Sequence, residues 1–259
     1  MTPTNRTVAI IQGRMNSSRL PGKILQDIGG CPMLMRVVER ARLAQAVDEV
    51  VFATTTDPTD DPVEAFCRRQ GIPIYRGSLH DVLDRFYQAA RLFQAETVVR
   101  LTADCPLLDP VLLDQTVDLF RRSGADFAAN RLPPPLKRTY PIGLDVEVCS
   151  FSALERAWKE ATALHDREHV LPYLYEVDGR FKIVVMHYER DYGSLRWTVD
   201  TPEDLELVRQ VYARLGDRQN FGWLDVLAIF EKEPELARIN AQVGHKTFFD
   251  VDERFKKPD

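Results

Sequence analysis

The sequence predicts an α/β protein of three layers, in which a mostly parallel sheet is covered by helices on both faces. Two observations support this fold class. Short apolar, β-branched runs recur along the 259 residues, and each run is too short to be a helix. Between these runs lie segments whose apolar residues recur at helical spacing. Buried strands that alternate with helices are typical of a parallel sheet with helices on its two faces.

The first half of the chain follows this alternation. Strands are predicted at residues 8–11, 50–55, 97–101 and 126–129. Helices are predicted where apolar residues recur at helical spacing, at residues 34–44, 83–93 and 112–120. Ligands of such sheets bind at the carboxyl ends of the strands, so we expect the functional residues at that edge.

The second half departs from the alternation. Three consecutive prolines at residues 133–135 exclude a helix or a central strand and predict a stiff, extended loop. Residues 144–148 alternate in polarity, which predicts a strand with Asp145 and Glu147 on one face. The remaining predictions are strands at 181–187 and 195–199, a helix at 205–215, and short helices with a charged, frayed tail over 221–259.

An inserted arm at about residues 141–192 interrupts what we expect to be a single domain over residues 1–259. The arm contains an apolar stretch at residues 170–175, and an apolar face on an inserted segment favours an interface with a second copy of the chain. The alternative is that Tyr173 and Tyr175 pack the arm onto its own domain. Of the two, we predict the homodimer.

The composition restricts the classes of function. A formal net charge of −5 argues against a protein that binds nucleic acid or a membrane surface. No run reaches transmembrane length, and the N-terminus lacks the apolar region of a signal peptide. The four cysteines contain no C-x-x-C pair, which favours buried thiols over a disulfide framework or a zinc site. These features predict a cytoplasmic protein without nucleic-acid or membrane partners.

A basic loop follows the first predicted strand. Three of its side chains are cations and none is an acid: Arg14, Arg19 and Lys23. Its small residues allow the backbone to turn N–H groups toward one point: Asn16, Ser17, Ser18 and Gly22. Backbone donors and cations at a strand end suit a polyphosphate, although the spacing matches neither a P-loop nor a dinucleotide motif. The alternative is a solvated basic turn.

Two aspartates lie just after predicted strands, at the same edge as the basic loop. Asp104 follows residues 97–101, and Asp200 follows residues 195–199. Magnesium on a nucleotide needs only one or two protein carboxylates, since water and phosphate supply the other ligands. The alternative for Asp200 is a helix start, because Thr201 is a suitable cap and Pro202 a suitable first residue.

Six segments of the chain, which occur in the same order in that family, resemble the cytidylyltransferases that make CMP-activated sugars. This family includes the 3-deoxy-manno-octulosonate and acylneuraminate enzymes, and the chain is most similar to the branch of the spore coat polysaccharide biosynthesis protein SpsF. The resemblance covers nearly the whole chain up to the helix that follows Asp200. The segments are residues 12–23, 81–87, 102–107, 143–148, 167–170 and 197–204.

The resemblance implies a GT-A-like nucleotidyltransferase fold and transfer of CMP from CTP to a sugar, with release of pyrophosphate. The expected acceptor is an acid sugar of the nonulosonic type, for surface polysaccharide or glycan synthesis. On this basis Mg²⁺ is held by Asp104 and Asp200, and the catalytic residues are Arg14, Lys23 and Asp104. The implied nucleotide-binding residues are Gln12, Gly13, Arg14, Asn16, Ser17, Ser18, Arg19, Lys23, Ser78, Arg85, Thr102 and Ala103. The implied acceptor-binding residues are Asp145, Glu147, Arg167 and His169.

The basic loop departs from the family pattern at two positions. The family usually has Ala-Arg-Met-Gly-Ser, whereas here Gly13 precedes Arg14 and Asn16 replaces the later glycine. Asparagine tolerates a left-handed backbone better than most residues, so the loop can keep a similar shape.

Two other functions are compatible with the same residues. A GT-A glycosyltransferase would use a nucleotide-sugar, but such enzymes usually hold their metal with a D-x-D pair, and this chain has Ala103-Asp104-Cys105 there. A nucleotide-binding protein without catalysis is the second alternative. The joint presence of Arg14, Lys23, Asp104 and Asp200 argues against it.

Overall fold

A computed structural model describes residues 6–132, 138–216, 218, 220–244, 247, 249 and 250. Its strands are β1 (Thr7–Gln12), β2 (Glu49–Thr55), β3 (Ile74–Gly77), β4 (Thr97–Thr102), β5 (Phe127–Ala129), β6 (Glu147–Ser150) and β7 (Ile183–Val185). They form one sheet in the order β3-β2-β1-β4-β6-β5-β7. β1 is parallel to both β2 and β4, and β2 is parallel to β3. β6 runs antiparallel to β4 and β5, so the sheet is mostly parallel with one reversed strand.

Helices cover both faces of this sheet. They are α1 (Met33–Arg42), α2 (Asp61–Arg69), α3 (Val82–Leu92), α4 (Pro110–Ser123), α5 (Phe151–Glu160), α6 (Leu164–His169), α7 (Pro172–Tyr175), α8 (Pro202–Leu215) and α9 (Trp223–Lys232). Alternate residues of β1 enter different cores: Ala9 and Ile11 pack with α1, α4, α8 and α9, whereas Val8 and Ile10 pack with α3, α5 and α7. The predicted three-layer α/β architecture is confirmed.

The strands and helices predicted for the first half are confirmed, but two elements between β2 and α3 were not predicted. α2 does carry apolar residues at helical spacing, Val63 and Cys67, which are buried in the core that contains α1, α4, α8 and α9. β3 has only four residues and includes the partly exposed Tyr75 and Arg76, so it does not form an apolar run in the sequence. The helices at 205–215 and after residue 221 are confirmed by α8 and α9.

The strand predicted at 195–199 is wrong. The segment belongs to no strand of the described sheet, and its isolated bridge pairs Arg196 with Ile142, which itself lies outside the strands. The segment instead crosses the strand ends, because Trp197 N donates to Ile142 O at 2.7 Å and Val199 N donates to Asp104 O at 2.8 Å. A Cβ on Gly143 would lie 2.6 Å from Thr198 N, so only glycine permits this close backbone packing. The crossing carries Asp200 to the edge where Asp104 lies.

The strand predicted at 144–148 begins later, at Glu147, so Asp145 lies before β6 rather than in it. Both side chains nevertheless turn toward one partner, since each forms an ion pair with Arg131. The strand predicted at 181–187 is confirmed as the shorter β7.

The apolar stretch at 170–175 packs within its own chain. Val170, Leu171, Leu174 and Tyr175 are buried in the core that contains α3 and α5. The exposed apolar face that supported a dimer is therefore not formed by this stretch.

The prolines at 133–135 and the end of the tail lie outside the described residues. Among the helices of the described chain, none combines the length and the apolar character needed to cross a bilayer.

Candidate active site

A cavity of about 330 Å³ opens at the carboxyl ends of β1 and β4. This volume lies within the range of small-molecule sites. Most of the residues that the sequence predicted for the site line this cavity or its rim: Gln12, Gly13, Arg14, Ser17, Ser18, Arg19, Lys23, Thr102, Ala103, Asp104, Glu147, His169 and Asp200. The basic loop and both aspartates therefore converge on one space.

The ammonium of Lys23 joins the two aspartates. Lys23 Nζ donates to Asp104 Oδ2 at 2.6 Å and to Asp200 Oδ1 at 2.9 Å, and also to the carbonyl of Val199 at 2.8 Å. Burial by itself would lower the pKa of Lys23, but the charges and hydrogen bonds of the two aspartates outweigh burial and raise that pKa. Lys23 is thus a fixed cation whose position is determined by three oxygen atoms.

Asp200 lies at the centre of the positive charges. Besides Lys23, its carboxylate contacts Arg19 Nη2 at 2.9 Å and Arg196 Nη2 at 2.6 Å. Burial would raise the pKa of Asp200, but the charge and hydrogen bond of Lys23, followed by Arg19 and Arg196, hold that pKa well below its usual range. Asp200 is therefore ionised at neutral pH.

Asp200 does not cap the helix that follows it. Thr201 and Asp204 form a capping box at the start of α8, with Pro202 in the first turn. Asp204 is fully buried, and it accepts from Asp200 N at 2.9 Å, Arg196 Nε at 2.9 Å and Asn240 Nδ2 at 2.8 Å. Because the helix start has its own cap, the Asp200 carboxylate faces the cavity.

The backbone of the basic loop is hydrogen-bonded to a buried aspartate that was not predicted from the sequence. The carboxylate of Asp60 is buried and accepts from Met15 N at 2.7 Å, and also from the backbone and hydroxyl of Thr55. Met15 O in turn accepts from Ser17 N at 2.9 Å and Gly22 N at 2.7 Å. Gly22 has a φ of 72°, which favours glycine.

The loop does not offer all its N–H groups to a ligand, contrary to our expectation. The backbone donors of Gly13, Met15, Ser17, Gly22 and Lys23 are used within the chain. These bonds fix the loop in a folded shape. The cationic side chains of the loop, Arg14, Arg19 and Lys23, line the cavity.

A smaller recess of about 110 Å³ adjoins the cavity and is lined by Arg14, Val82 and Arg85. Arg85 is buried, and its Nε has no hydrogen-bond partner among the described residues. Burial, together with the positive charge of Arg14, lowers the pKa of Arg85 to about 10. Two neighbouring guanidinium groups make this recess attractive to electron-rich oxygen and nitrogen atoms.

The opposite part of the cavity is lined by a buried ion-pair network. Arg100 pairs with Glu147 and donates to Gln12 Oε1 at 3.2 Å, while Arg131 lies 3.7 Å from Glu147 Oε1. Burial would lower the pKa of Arg131, but the charges of Asp145 and Glu147 raise it. Asp145 itself does not line the cavity; it contacts Arg131 Nη2 at 3.0 Å from behind.

His169 lines the cavity as a neutral imidazole. Burial, reinforced by the charge of Arg100, lowers the pKa of His169 to about 4. Its Nε2 is buried and has no hydrogen-bond partner in the described part of the chain. His169 ends α6, and Val170 then reverses the chain with a φ of 76°, an unusual conformation for a β-branched residue.

Besides Asp145, three predicted site residues line neither the cavity nor the recess. Asn16 Nδ2 donates to Thr59 Oγ1 at 3.0 Å, and Ser78 Oγ accepts from the backbone of His80 and Asp81. Arg167 is engaged by Asp81 and by Trp158 O, which ties α6 to the start of α3. Each of these side chains is held in the local structure by its hydrogen bonds.

Several lining residues were not predicted: Ile24, Arg100, Arg131, Glu168, Tyr175, Thr247 and Asp250. The signal for Arg100 was present, since an arginine inside the apolar run of β4 is unusual. Thr247 and Asp250 lie in the tail, where no sequence pattern indicates a return to the sheet edge.

The convergence of a basic loop, two carboxylates and a strand-end cavity agrees with the family resemblance. Residues 8–233 match the cytidylyltransferase family. The chain belongs to this family. The match extends from β1 to the end of α9, and so contains the basic loop, Asp104 and Asp200.

Individual family members are similar over most of their length. The chain is 32% identical to the spore coat polysaccharide biosynthesis protein SpsF of Bacillus subtilis, over 90% of this chain and 97% of that protein. A solved cytidylyltransferase of Leptospira borgpetersenii has a TM-score of 0.85 and 33% identity, with 93% of this chain and 99% of the other covered. A shorter match, 37% identical over 42% of this chain and 43% of the relative, is to the 3-deoxy-manno-octulosonate cytidylyltransferase of Geobacter sulfurreducens.

Proposed function

We propose that this cytidylyltransferase transfers CMP from CTP to a hydroxyl of an acid sugar and releases pyrophosphate. The observation that carries the proposal is the position of Lys23, whose ammonium bridges Asp104 and Asp200 beneath the basic loop. A cation set of Arg14, Arg19 and Lys23 on one side of a cavity suits a triphosphate. The two carboxylates would repel a triphosphate unless cations separated them from it.

The same two carboxylates fit a magnesium ion. Asp104 Oδ2 and Asp200 Oδ1 both lie within 2.9 Å of a single cationic atom, so these hard oxygen donors already surround one positive charge. Mg²⁺ prefers oxygen ligands and commonly takes one or two carboxylates, with phosphate and water as the remainder. When bound, Mg²⁺ would neutralise phosphate charge and lower the pKa of the acceptor hydroxyl.

The residues of the chain supply positioning and charge. In the proposed step a bond forms between the acceptor oxygen and the α-phosphorus. The bond from the α-phosphorus to the bridging oxygen breaks, and pyrophosphate leaves with that electron pair, while the hydroxyl loses its proton. Arg14 and Arg19 hold the triphosphate, and Lys23 stabilises the charge that develops on pyrophosphate. Arg85 contacts the nucleotide from the adjoining recess.

The acceptor is proposed to occupy the side of the cavity lined by Arg100, Arg131, Glu147 and His169. Arginine recognises carboxylates, and carboxylates accept from hydroxyl groups, so the network suits a polyhydroxylated acid. The name of the Geobacter relative, which specifies 3-deoxy-manno-octulosonate, supports an acid sugar. Glycan synthesis is supported by the name of the Bacillus relative.

The site favours nucleotidyl transfer over glycosyl transfer. A D-x-D pair would place two carboxylates on one turn, but Thr102 stands two positions before Asp104. The second carboxylate comes instead from Asp200, brought in by the backbone bond from Val199 to Asp104.

We also propose that the chain is one domain over residues 1–259 that pairs as a homodimer through the arm at 141–192. Support comes from exposed apolar residues of the arm, Leu164, Val177 and Ile183. Ile183 begins β7, which is the last strand of the sheet, and a sheet edge is a template for pairing with another chain. The cytoplasmic location stays a prediction.

Pyrophosphate release tests the proposed reaction. Purified protein would be incubated with CTP, Mg²⁺ and each of three acceptors: 3-deoxy-manno-octulosonate, N-acetylneuraminate and a neutral hexose as control. We expect pyrophosphate and an equal amount of CMP-sugar, detected by mass spectrometry, with an acid sugar only. Consumption of a nucleotide-sugar without pyrophosphate would instead indicate a glycosyltransferase. Calorimetric binding of CTP with no product from any acceptor would indicate a binding protein.

A further inference from the structure

We propose that His165, Asp166 and Glu176 form a second divalent-cation site, on the arm and outside the cavity. One ligand atom of each residue lies within 4.8 Å of the others. His165 Nε2 is 2.5 Å from Glu176 Oε1 and 3.8 Å from Asp166 Oδ1. None of the three residues lines the cavity at the strand ends, so this site is independent of the proposed reaction.

The observation that points to a ligand is a buried oxygen of Asp166 that accepts no hydrogen bond from the described residues. Its side chain is only 6% exposed, and its Oδ1 is buried without a hydrogen-bond partner among the described residues. A buried carboxylate oxygen without a donor is costly, and native structures rarely contain one unless an ion or water compensates it. Asp166 Oδ1 lies 3.8 Å from His165 Nε2, and one ligand atom of each of the three residues lies within 4.8 Å of the others.

The distances suit a first-row ion. Zinc binds histidine nitrogen and carboxylate oxygen at about 2.0–2.2 Å, so two ligands of one ion lie at most about 4.4 Å apart. The separations of 2.5 and 3.8 Å from His165 Nε2 lie within this limit, and the bound of 4.8 Å on the whole group exceeds it by a distance that a small side-chain rotation covers. One imidazole with two carboxylates favours Zn²⁺ or a similar transition ion over Mg²⁺, which prefers oxygen alone.

The site would connect two helices that form one wall of the cavity. His165 and Asp166 are in α6, which ends at His169, and Glu176 is the residue that follows α7, which ends at Tyr175. Both terminal residues, His169 and Tyr175, line the cavity. The ring of Phe249 packs edge-on against His165, with centroids 5.6 Å apart. An ion here would fix the relative positions of the two helix ends.

Cobalt titration tests the site without any activity measurement. Tag-free protein, stripped of metals with a chelator, would be titrated with Co²⁺ in excess Mg²⁺, which saturates the oxygen-only site. We expect one Co²⁺ per chain with visible d–d absorption, displaced by Zn²⁺. The absorption should be lost in His165→Ala and kept in His187→Ala, an exposed histidine of the same arm, and in Asp104→Asn.

Thermal unfolding gives a second readout that does not depend on colour. Asp166→Asn removes a buried charge, so its metal-free form should melt at a higher temperature than the metal-free parent. Zn²⁺ should raise the melting temperature of the parent protein and leave that of Asp166→Asn unchanged. Absence of Co²⁺ absorption, or equal binding by His165→Ala and the parent, would overturn the proposal. The three residues would then be a cluster held by contacts among their own side chains, without an ion.

Discussion

Lys23 and Asp104 are separated by 81 residues of sequence, yet Lys23 Nζ lies 2.6 Å from Asp104 Oδ2. Lys23 follows the loop after β1, and Asp104 follows β4, which pairs in parallel with β1. Parallel neighbours end at the same edge of a sheet, so the two loops meet there. The side chains of the site are thus assembled by strand order rather than by proximity in sequence.

Removal of a single cation from the basic loop should stop turnover. We expect Lys23→Met and Arg14→Ala each to lower kcat by a factor of about 10²–10³ or more, as for the loss of a charge-stabilising donor. Circular dichroism should show a folded protein in both cases. Lys159→Met, on the exposed side of α5, is the matched control and should keep parental activity. Parental turnover in either loop variant would contradict the proposed phosphate contacts.

Lys23→Met should also make stability depend on magnesium. The substitution leaves Asp104 and Asp200 facing each other without the ammonium that now contacts both. Like charges at short range destabilise a fold, and a divalent cation would replace the missing charge. We expect Mg²⁺ to raise the melting temperature of Lys23→Met more than that of the parent, measured by differential scanning fluorimetry. Equal shifts would mean that the two carboxylates do not share a cation.

The two aspartates should both be needed for metal-dependent activity. Asp104→Asn and Asp200→Asn keep the size of the side chain but remove the charge that a hard cation requires. We expect each to need a much higher Mg²⁺ concentration for half-maximal rate, whereas Asp118→Asn, on the exposed face of α4, should not. If Asp200→Asn lowers the melting temperature but leaves the Mg²⁺ requirement unchanged, Asp200 acts only through its ion pairs with Lys23, Arg19 and Arg196.

The stability that Asp200 provides should disappear in acid. Its pKa is lower in the folded chain than the ordinary value of about 3.9, so protons bind the unfolded chain more readily. The stabilisation is therefore complete above about pH 4 and is lost as the pH falls through the folded pKa. The free energies of unfolding of the parent and of Asp200→Asn, measured with urea, should differ by roughly 1–3 kcal/mol at neutral pH and by less near pH 3. A difference that does not change with pH would contradict this account.

Much of the fold and the centre of the site could be predicted from sequence, because apolar periodicity and strand-end motifs report local chemistry. Arg167 shows where this fails: its segment matches the family, yet its guanidinium is held by Asp81, and no sequence rule gives that contact. The role of Asp60 could not be predicted for another reason. It stands in an Asp-Pro-Thr-Asp-Asp-Pro stretch typical of helix starts, which hides its long-range bond to Met15.

Asp60 should influence nucleotide binding without touching the ligand. Both of its oxygens accept hydrogen bonds, from Met15 N on one side and Thr55 on the other. In Asp60→Asn the amide nitrogen must face one of these donors, which costs about 1–3 kcal/mol and loosens the loop. We expect a raised KM for CTP with a smaller change in kcat, and a lowered melting temperature. Asp61→Asn, the exposed neighbouring acid, is the control; an unchanged KM in Asp60→Asn would show that the loop does not depend on this bond.

Pairing of two chains should depend on the edge of the sheet at β7. Light scattering at micromolar concentration should give twice the mass of the chain, since exposed apolar residues and an edge strand together favour association. Ile183→Lys places a charge on that edge and should give a monomer, whereas Leu92→Lys, at a more exposed apolar position on α3, should not. A monomer mass for the parent protein would contradict the homodimer. The cavity would then be closed by residues of this chain alone, and His169, Tyr175 and the tail residues Thr247 and Asp250 are among the residues that line it.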